Sequence, residues 1–145
     1  MFEFWRKYLM IASIVFALQG VSWAVIGSFD PFGIYDGIWA QQMFGADELP
    51  ADAARARSFL LGPFGATDAG YFILVFFLAR YGWAERKRWA HTAVSAAVAC
   101  WFVLDTTVCL IHGVYFNVLV VNLPAIAMLA PPLVFTYKEF RAADA

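Results

Sequence analysis

Apolar residues fall along the chain in four long runs, separated by two short polar joints and one long mixed loop. The runs cover about residues 8–28, 62–81, 88–111 and 114–137. As helices, each is long enough to cross ~30 Å of hydrocarbon. The joints around residues 82–87 and at His112-Gly113 are as short as those between antiparallel neighbours in a bundle. The pattern therefore predicts an all-α fold, an integral membrane bundle of four transmembrane helices forming a single domain over 1–145. Arg6 and Lys7 precede the first run as they would in a signal peptide. The run is longer than a typical signal core, however, and Gln19 and Trp23 are poor lead-ins to a cleavage site, so an uncleaved span is expected.

The loop at 29–61 is too long for a bare connection and too apolar for disorder. Residues 34–44 have the aromatic content of a short helix lying in the membrane interface. Residues 50–60 read as a second short helix, with Asp52 in its first turn. Together they form either a lid over one end of the bundle or a membrane-surface anchor. No internal repeat or low-complexity segment is present.

Composition supports a lipid environment. Hydrophobic residues make up 63% of the chain and charged residues 14%, against about 25% charged in ordinary soluble domains. The formal net charge of −1 excludes a generally basic nucleic-acid binder. Beneath that balance the charge is segregated. Arg6, Lys7, Arg80, Arg86, Lys87, Arg88, Lys138 and Arg141 flank one side of the predicted spans. Only Arg55 and Arg57, beside Asp30, Asp36, Asp47, Glu48 and Asp52, lie in the long loop. Eight cations against two predict both termini in the cytoplasm and the loop outside, in the inner membrane of a bacterium. The same imbalance argues against a dual-topology dimer.

Cys100 and Cys109 share one predicted helix, roughly 13 Å apart at ~1.5 Å per residue. They cannot pair with each other, and their spacing fits no zinc pattern; both read as small apolar fillers.

Candidate chemistry comes from polar residues inside the spans. At ~1.5 Å per residue, Asp68 and Asp105 sit roughly 9 Å below the outer surface, Asn122 about 12 Å and Gln19 about 13 Å. Asn117 and His112 lie at the outer rim. Asp105 shares a helical face with His112, and Gln19 with Ser22, Trp23 and Ile26. Asn117 and Asn122 are about 140° apart on an α-helix and should not reach one pocket. Gly62, Ala66 and Gly70 form a stripe suited to close helix packing. Pro124, Pro131 and Pro132 predict kinks in the fourth span.

A carboxylate in the bilayer costs ~2.5–3.5 kcal/mol on insertion scales, so Asp105 is expected to point inward, toward Asp68, Gln19 or Asn122. The catalytic candidates are Asp105, Asp68 and, as a proton route, His112. Gln19, Trp23, Tyr71, Trp101, Asn117 and Asn122 would line the pocket. For Gln19, Asn117, Asn122, Thr106 and Thr107 the simpler role is interhelical glue, and for His91 it is snorkelling to the interface.

No phosphate loop, HExxH or GxSxG is present, and neither metal nor cofactor is expected. The function expected is binding, or acid–base conversion such as isomerisation or cyclisation, of a lipid-like or other apolar small molecule. The alternatives are a proton- or ion-coupled transporter or channel subunit, and a non-catalytic accessory subunit. Against transport, the inner halves of the spans are nearly all apolar apart from Ser13 and Ser95. The partners expected are membrane lipids, the apolar ligand, and a second copy or another membrane subunit; nucleic acid is not among them.

Overall fold

The computed structural model describes residues 1–27 and 32–142. Among these the structure is helical, with no strand. Residues 28–31, which hold the predicted end of the first span and Asp30, lie outside the described residues.

Helix α1 (Phe2–Ile26) starts six residues before the predicted span. Its first turn is drawn into the fold by Phe2, which packs 6.5 Å from the Trp83 ring and 5.5 Å from Phe140. Helix α2 (Ile34–Phe44) has the limits predicted. Gly33 and Gly45, both left-handed with φ of 65° and 64°, bracket it, a conformation that costs glycine nothing.

Helix α3 (Ala51–Phe77) differs from expectation. The predicted short helix at 50–60 runs without a break into the second span, through Gly62 and Pro63. The alanine-rich segment from Ala51 has strong helix propensity. Pro63 forfeits only one backbone bond, a loss membrane helices tolerate. The helix ends in a π turn, Leu78–Gly82, where the Trp83 N–H reaches back five residues to the Leu78 carbonyl at 2.9 Å.

Helix α4 (Arg88–Ile111) follows, and then the fourth span opens with a single turn, α5 (Tyr115–Asn117). A second π segment, Val118–Asn122, joins α5 to helix α6 (Leu123–Ala142). Pro124 cannot donate to the Val120 carbonyl, and the turn before it widens to i→i+5 bonding.

The helices pack in the order α3, α1, α6, α4; α3 and α4 meet mainly at the first π turn. Helix α1 meets α3 where Gly20 faces Gly65. A Cβ at Gly20 would lie 2.6 Å from the Ala69 nitrogen and 2.7 Å from the Gly65 carbonyl. The seam thus pairs Gly20-x-x-x-Ala24 with Gly65-x-x-x-Ala69, small residues that let backbones touch. The stripe predicted for this role does not perform it: Gly62 and Gly70 have nothing within 4 Å, and Ala66 is exposed. The line that α1 packs against, Gly65 and Ala69, was not singled out in the sequence.

One end of the bundle is closed by aromatic packing. Trp83 is fully buried and stacks on His91 at 5.4 Å, with Phe140 against both. His91 is 6% exposed, not snorkelling as predicted. Its Nε2–H donates to the Leu133 carbonyl at 2.9 Å, which leaves Nδ1 to accept from Ser95 at 3.5 Å. The outward surface carries Ile11, Leu18, Leu104, Ile111 and Val134, all well exposed. In water such a continuous apolar belt would aggregate. All four spans, Phe2–Ile26, Ala51–Gly82, Arg88–Ile111 and Tyr115–Arg141, are long and apolar enough to cross a bilayer. The chain is a multi-pass membrane protein.

Candidate functional site

The polar residues singled out in the spans gather at the end of the bundle that carries α2, in two groups. The larger is held by α4 and the fourth span. Asn122 is completely buried, and its Nδ2 donates to Thr106 Oγ1 at 3.0 Å. Its Oδ1 accepts from Asn117 Nδ2 at 3.4 Å, and the same Nδ2 group lies 3.2 Å from Cys109 Sγ. The two asparagines therefore do meet, against expectation. The π segment between them is the reason: i→i+5 bonding brings residues five apart toward one face, where an α-helix would separate them.

Helix α2 reaches this group through Tyr35. The Tyr35 hydroxyl donates to Asn117 Oδ1 at 2.7 Å, and its ring packs 5.4 Å from Phe116. On its other side α2 is tied to α3. Arg57 pairs with Asp36 at 2.7 Å and lies 5.6 Å and 5.5 Å from the ring centroids of Tyr35 and Trp39. Burial pushes the Tyr35 hydroxyl above its ordinary pKa, and the nearby Arg57 guanidinium opposes that shift. Tyr35, Asp36 and Arg57 were not singled out as site residues. The signal available was Arg57 itself, one of two cations in an acidic loop, followed by apolar sequence.

Asp105 is half-buried at the edge of this group. Among the described residues it accepts only from Cys109 Sγ on its own helix, at 3.8 Å. Among the described residues no hydrogen bond joins it to Asp68, Gln19 or Asn122, the partners expected. His112 is exposed at the end of α4, without a side-chain bond to Asp105. Trp101 is half-buried on α4, with its ring 6.3 Å from Phe102.

The smaller group lies on the seam of α1 and α3. Trp23 stacks on Phe64 at 5.5 Å. One turn further into the span stand Gln19 on α1 and Asp68 on α3, both half-buried. Asp68 Oδ2 would be 3.0 Å from a Cβ at Gly20, so the absence of a side chain there makes room for the carboxyl. Tyr71, at i+3 from Asp68 and so on a neighbouring face, packs edge-on to Phe72 at 4.9 Å. Its hydroxyl is buried without a hydrogen-bond partner. Among the described residues, Asp68 also has no protein hydrogen bond.

The two groups differ in kind. Around Asn117 and Asn122 donors and acceptors are matched, an arrangement that fixes helix positions. Around Asp68 and Tyr71 they are not, and an unmatched buried group costs roughly 1–3 kcal/mol. The structure keeps Asp68 and Asp105 in separate groups. Among the described residues, no cluster of three or more His, Cys, Asp or Glu side chains is arranged to hold a metal. Comparison with protein families, curated proteins and solved structures finds no match for this chain.

Proposed function

We propose that the protein binds an apolar small molecule bearing one hydrogen-bonding group, an amine or a hydroxyl, at the seam of α1 and α3. The observation that carries this reading is the Tyr71 hydroxyl, buried without a partner one turn from the similarly unmatched Asp68 carboxyl. A hydroxyl would donate to the carboxylate and accept from the phenol; a protonated amine would donate to both oxygens. Trp23 and Phe64 would wall its apolar body, with Gln19 on the facing helix. Ligand sites of this type are mostly apolar with a few placed polar groups.

Binding is favoured over acid–base conversion. The conversion expected from the sequence calls for Asp105 beside Asp68, and Asp105 stands in the other group, with Cys109 on its own helix. In the orientation that the Lys and Arg distribution favours, the site lies in the outer half of the bilayer, with both termini in the cytoplasm. The membrane would then be a bacterial inner membrane, and the ligand would enter from its outer leaflet.

The test is to purify the protein in mild detergent, extract it with solvent and identify the extracted molecules by mass spectrometry, with Asp68→Asn and Tyr71→Phe alongside. One apolar molecule enriched over bulk lipid, and lost in both variants, supports the site. Ordinary phospholipid in all three samples, with unchanged melting, would leave an accessory or transport subunit as the better reading. A search for a partner subunit or a second copy would follow.

A further inference from the structure

At the opposite end of the bundle the first π turn and the start of α4 form a continuous surface trough. Its polar part, about 750 Å³, is lined by Arg86, Lys87, Arg88, Trp89 and Thr92, with Glu85 as the opposing charge. Its apolar part, about 310 Å³, runs along Leu74, Phe77, Leu78 and Tyr81 and shares Glu85, Lys87 and Trp89 with the first. From Leu74 to Gly82 the trough follows roughly 12 Å of α3 into the span.

Backbone geometry builds it. A Cβ at Gly82 would lie 2.5 Å from Ala90 Cβ and 3.7 Å from Trp89 Cη2. Only glycine lets α4 start so close, and the Trp89 ring is thereby held at the turn. Arg86 has φ of 53°, the only positive φ outside glycine among the described residues. That bend returns the Lys87 N–H to the Gly82 carbonyl at 2.8 Å. It also accompanies the pairing of Arg86 with Glu139 at 2.7 Å and its contact with the Phe2 ring at 4.7 Å. Arg86 thus braces the turn. Lys87 meets Glu85 at 3.6 Å, but both side chains are more than half exposed, and such a pair is weak.

We infer that this trough seats one anionic phospholipid, its phosphodiester against Lys87 and Arg88 and one acyl chain along Leu74, Phe77 and Tyr81. Charge selects this occupant. Clustered cations at a span end attract anionic headgroups, and a zwitterionic lipid would bring its own ammonium against them. Trp89 and Tyr81 are amphipathic rings of the kind found at the headgroup level. The apolar part faces hydrocarbon, where a soluble peptide does not go. None of these residues belongs to the Asp68 site, so the inference stands independently of it.

The experiment uses the full chain in vesicles of phosphatidylcholine containing equal fractions of dibromoacyl phosphatidylglycerol or dibromoacyl phosphatidylcholine, with tryptophan fluorescence as readout. Phosphatidylglycerol should quench more strongly, and the excess should vanish in Trp89→Phe. In Lys87→Gln/Arg88→Gln the preference should fall about fivefold for each cation removed. If the double variant misassembles, Lys87→Gln alone carries the comparison. Equal quenching by the two lipids in the native protein would overturn the assignment, as would an excess that survives either set of substitutions.

Discussion

The Tyr35 hydroxyl donates to Asn117 Oδ1 at 2.7 Å, joining residues 82 positions apart. This one bond ties the helix outside the spans to the opening turn of the fourth span. It joins α2 to the half-buried Asn117, which in turn donates to the buried Asn122.

Tyr35→Phe removes the bond and keeps the ring. A bond of this kind contributes about 1 kcal/mol, so opening of α2 should become roughly fivefold more frequent. Hydrogen exchange in Ile34–Phe44 would report it, with the spans unchanged. Equal exchange in the two proteins would mean that Arg57 holds α2 alone.

Alkali should weaken the same bond. Burial raises the Tyr35 pKa in the folded protein, whereas an unfolded tyrosine ionises near pH 10. The neutral form is thus favoured by folding. Its contribution is fully present below about pH 10 and declines as pH rises toward the folded value. Protease cleavage within α2 should therefore increase above about pH 10, and Tyr35→Phe should flatten that rise.

Where Gly20 crosses Gly65, α1 and α3 leave no room for an added Cβ. At Gly65 a Cβ would fall 2.8 Å from Trp23 Cβ and 2.7 Å from the Ala24 nitrogen. Gly65→Ala should lower stability by about 1–3 kcal/mol through overpacking. Gly70→Ala meets nothing within 4 Å and should be neutral or slightly stabilising through helix propensity. Thermal melting in detergent compares them; equal shifts would refute the close crossing.

Asn122 and Thr106 should be energetically coupled. A double-mutant cycle with Asn122→Ala and Thr106→Val is expected to give about 0.6–1.7 kcal/mol, the range of interhelical bonds in membranes. Additive effects would show that the 3.0 Å bond does not contribute to stability.

How much of this was legible in the sequence depends on what kind of signal each feature leaves. The four spans were, because a run of apolar residues reports its solvent directly. The limits of α2 were too, from the aromatic content of residues 34–44. The join of 50–60 to the second span was not, because Gly62-Pro63 reads as a break and the membrane context overrides it. The meeting of Asn117 and Asn122 was hidden by assuming an ideal helix across a segment that Pro124 widens. His91 was misplaced for another reason: Arg88 nearby suggested the interface, but Trp83 and Phe140, distant in sequence, enclose it. Asp68 was singled out as a carboxyl within an apolar span. Its separation from Asp105 depends on which helices are neighbours, and no single helix encodes that.

The second π turn divides the fourth span into two parts whose angular settings are independent. Ahead of it, Asn117 is aimed at α2 and α4; behind it, Leu129, Pro132, Thr136 and Phe140 form the line buried in the bundle. One residue gained or lost within Val118–Asn122 would re-aim one part without disturbing the other. The polar end can therefore be remodelled by insertion and deletion, a route closed to the tightly seamed α1 and α3.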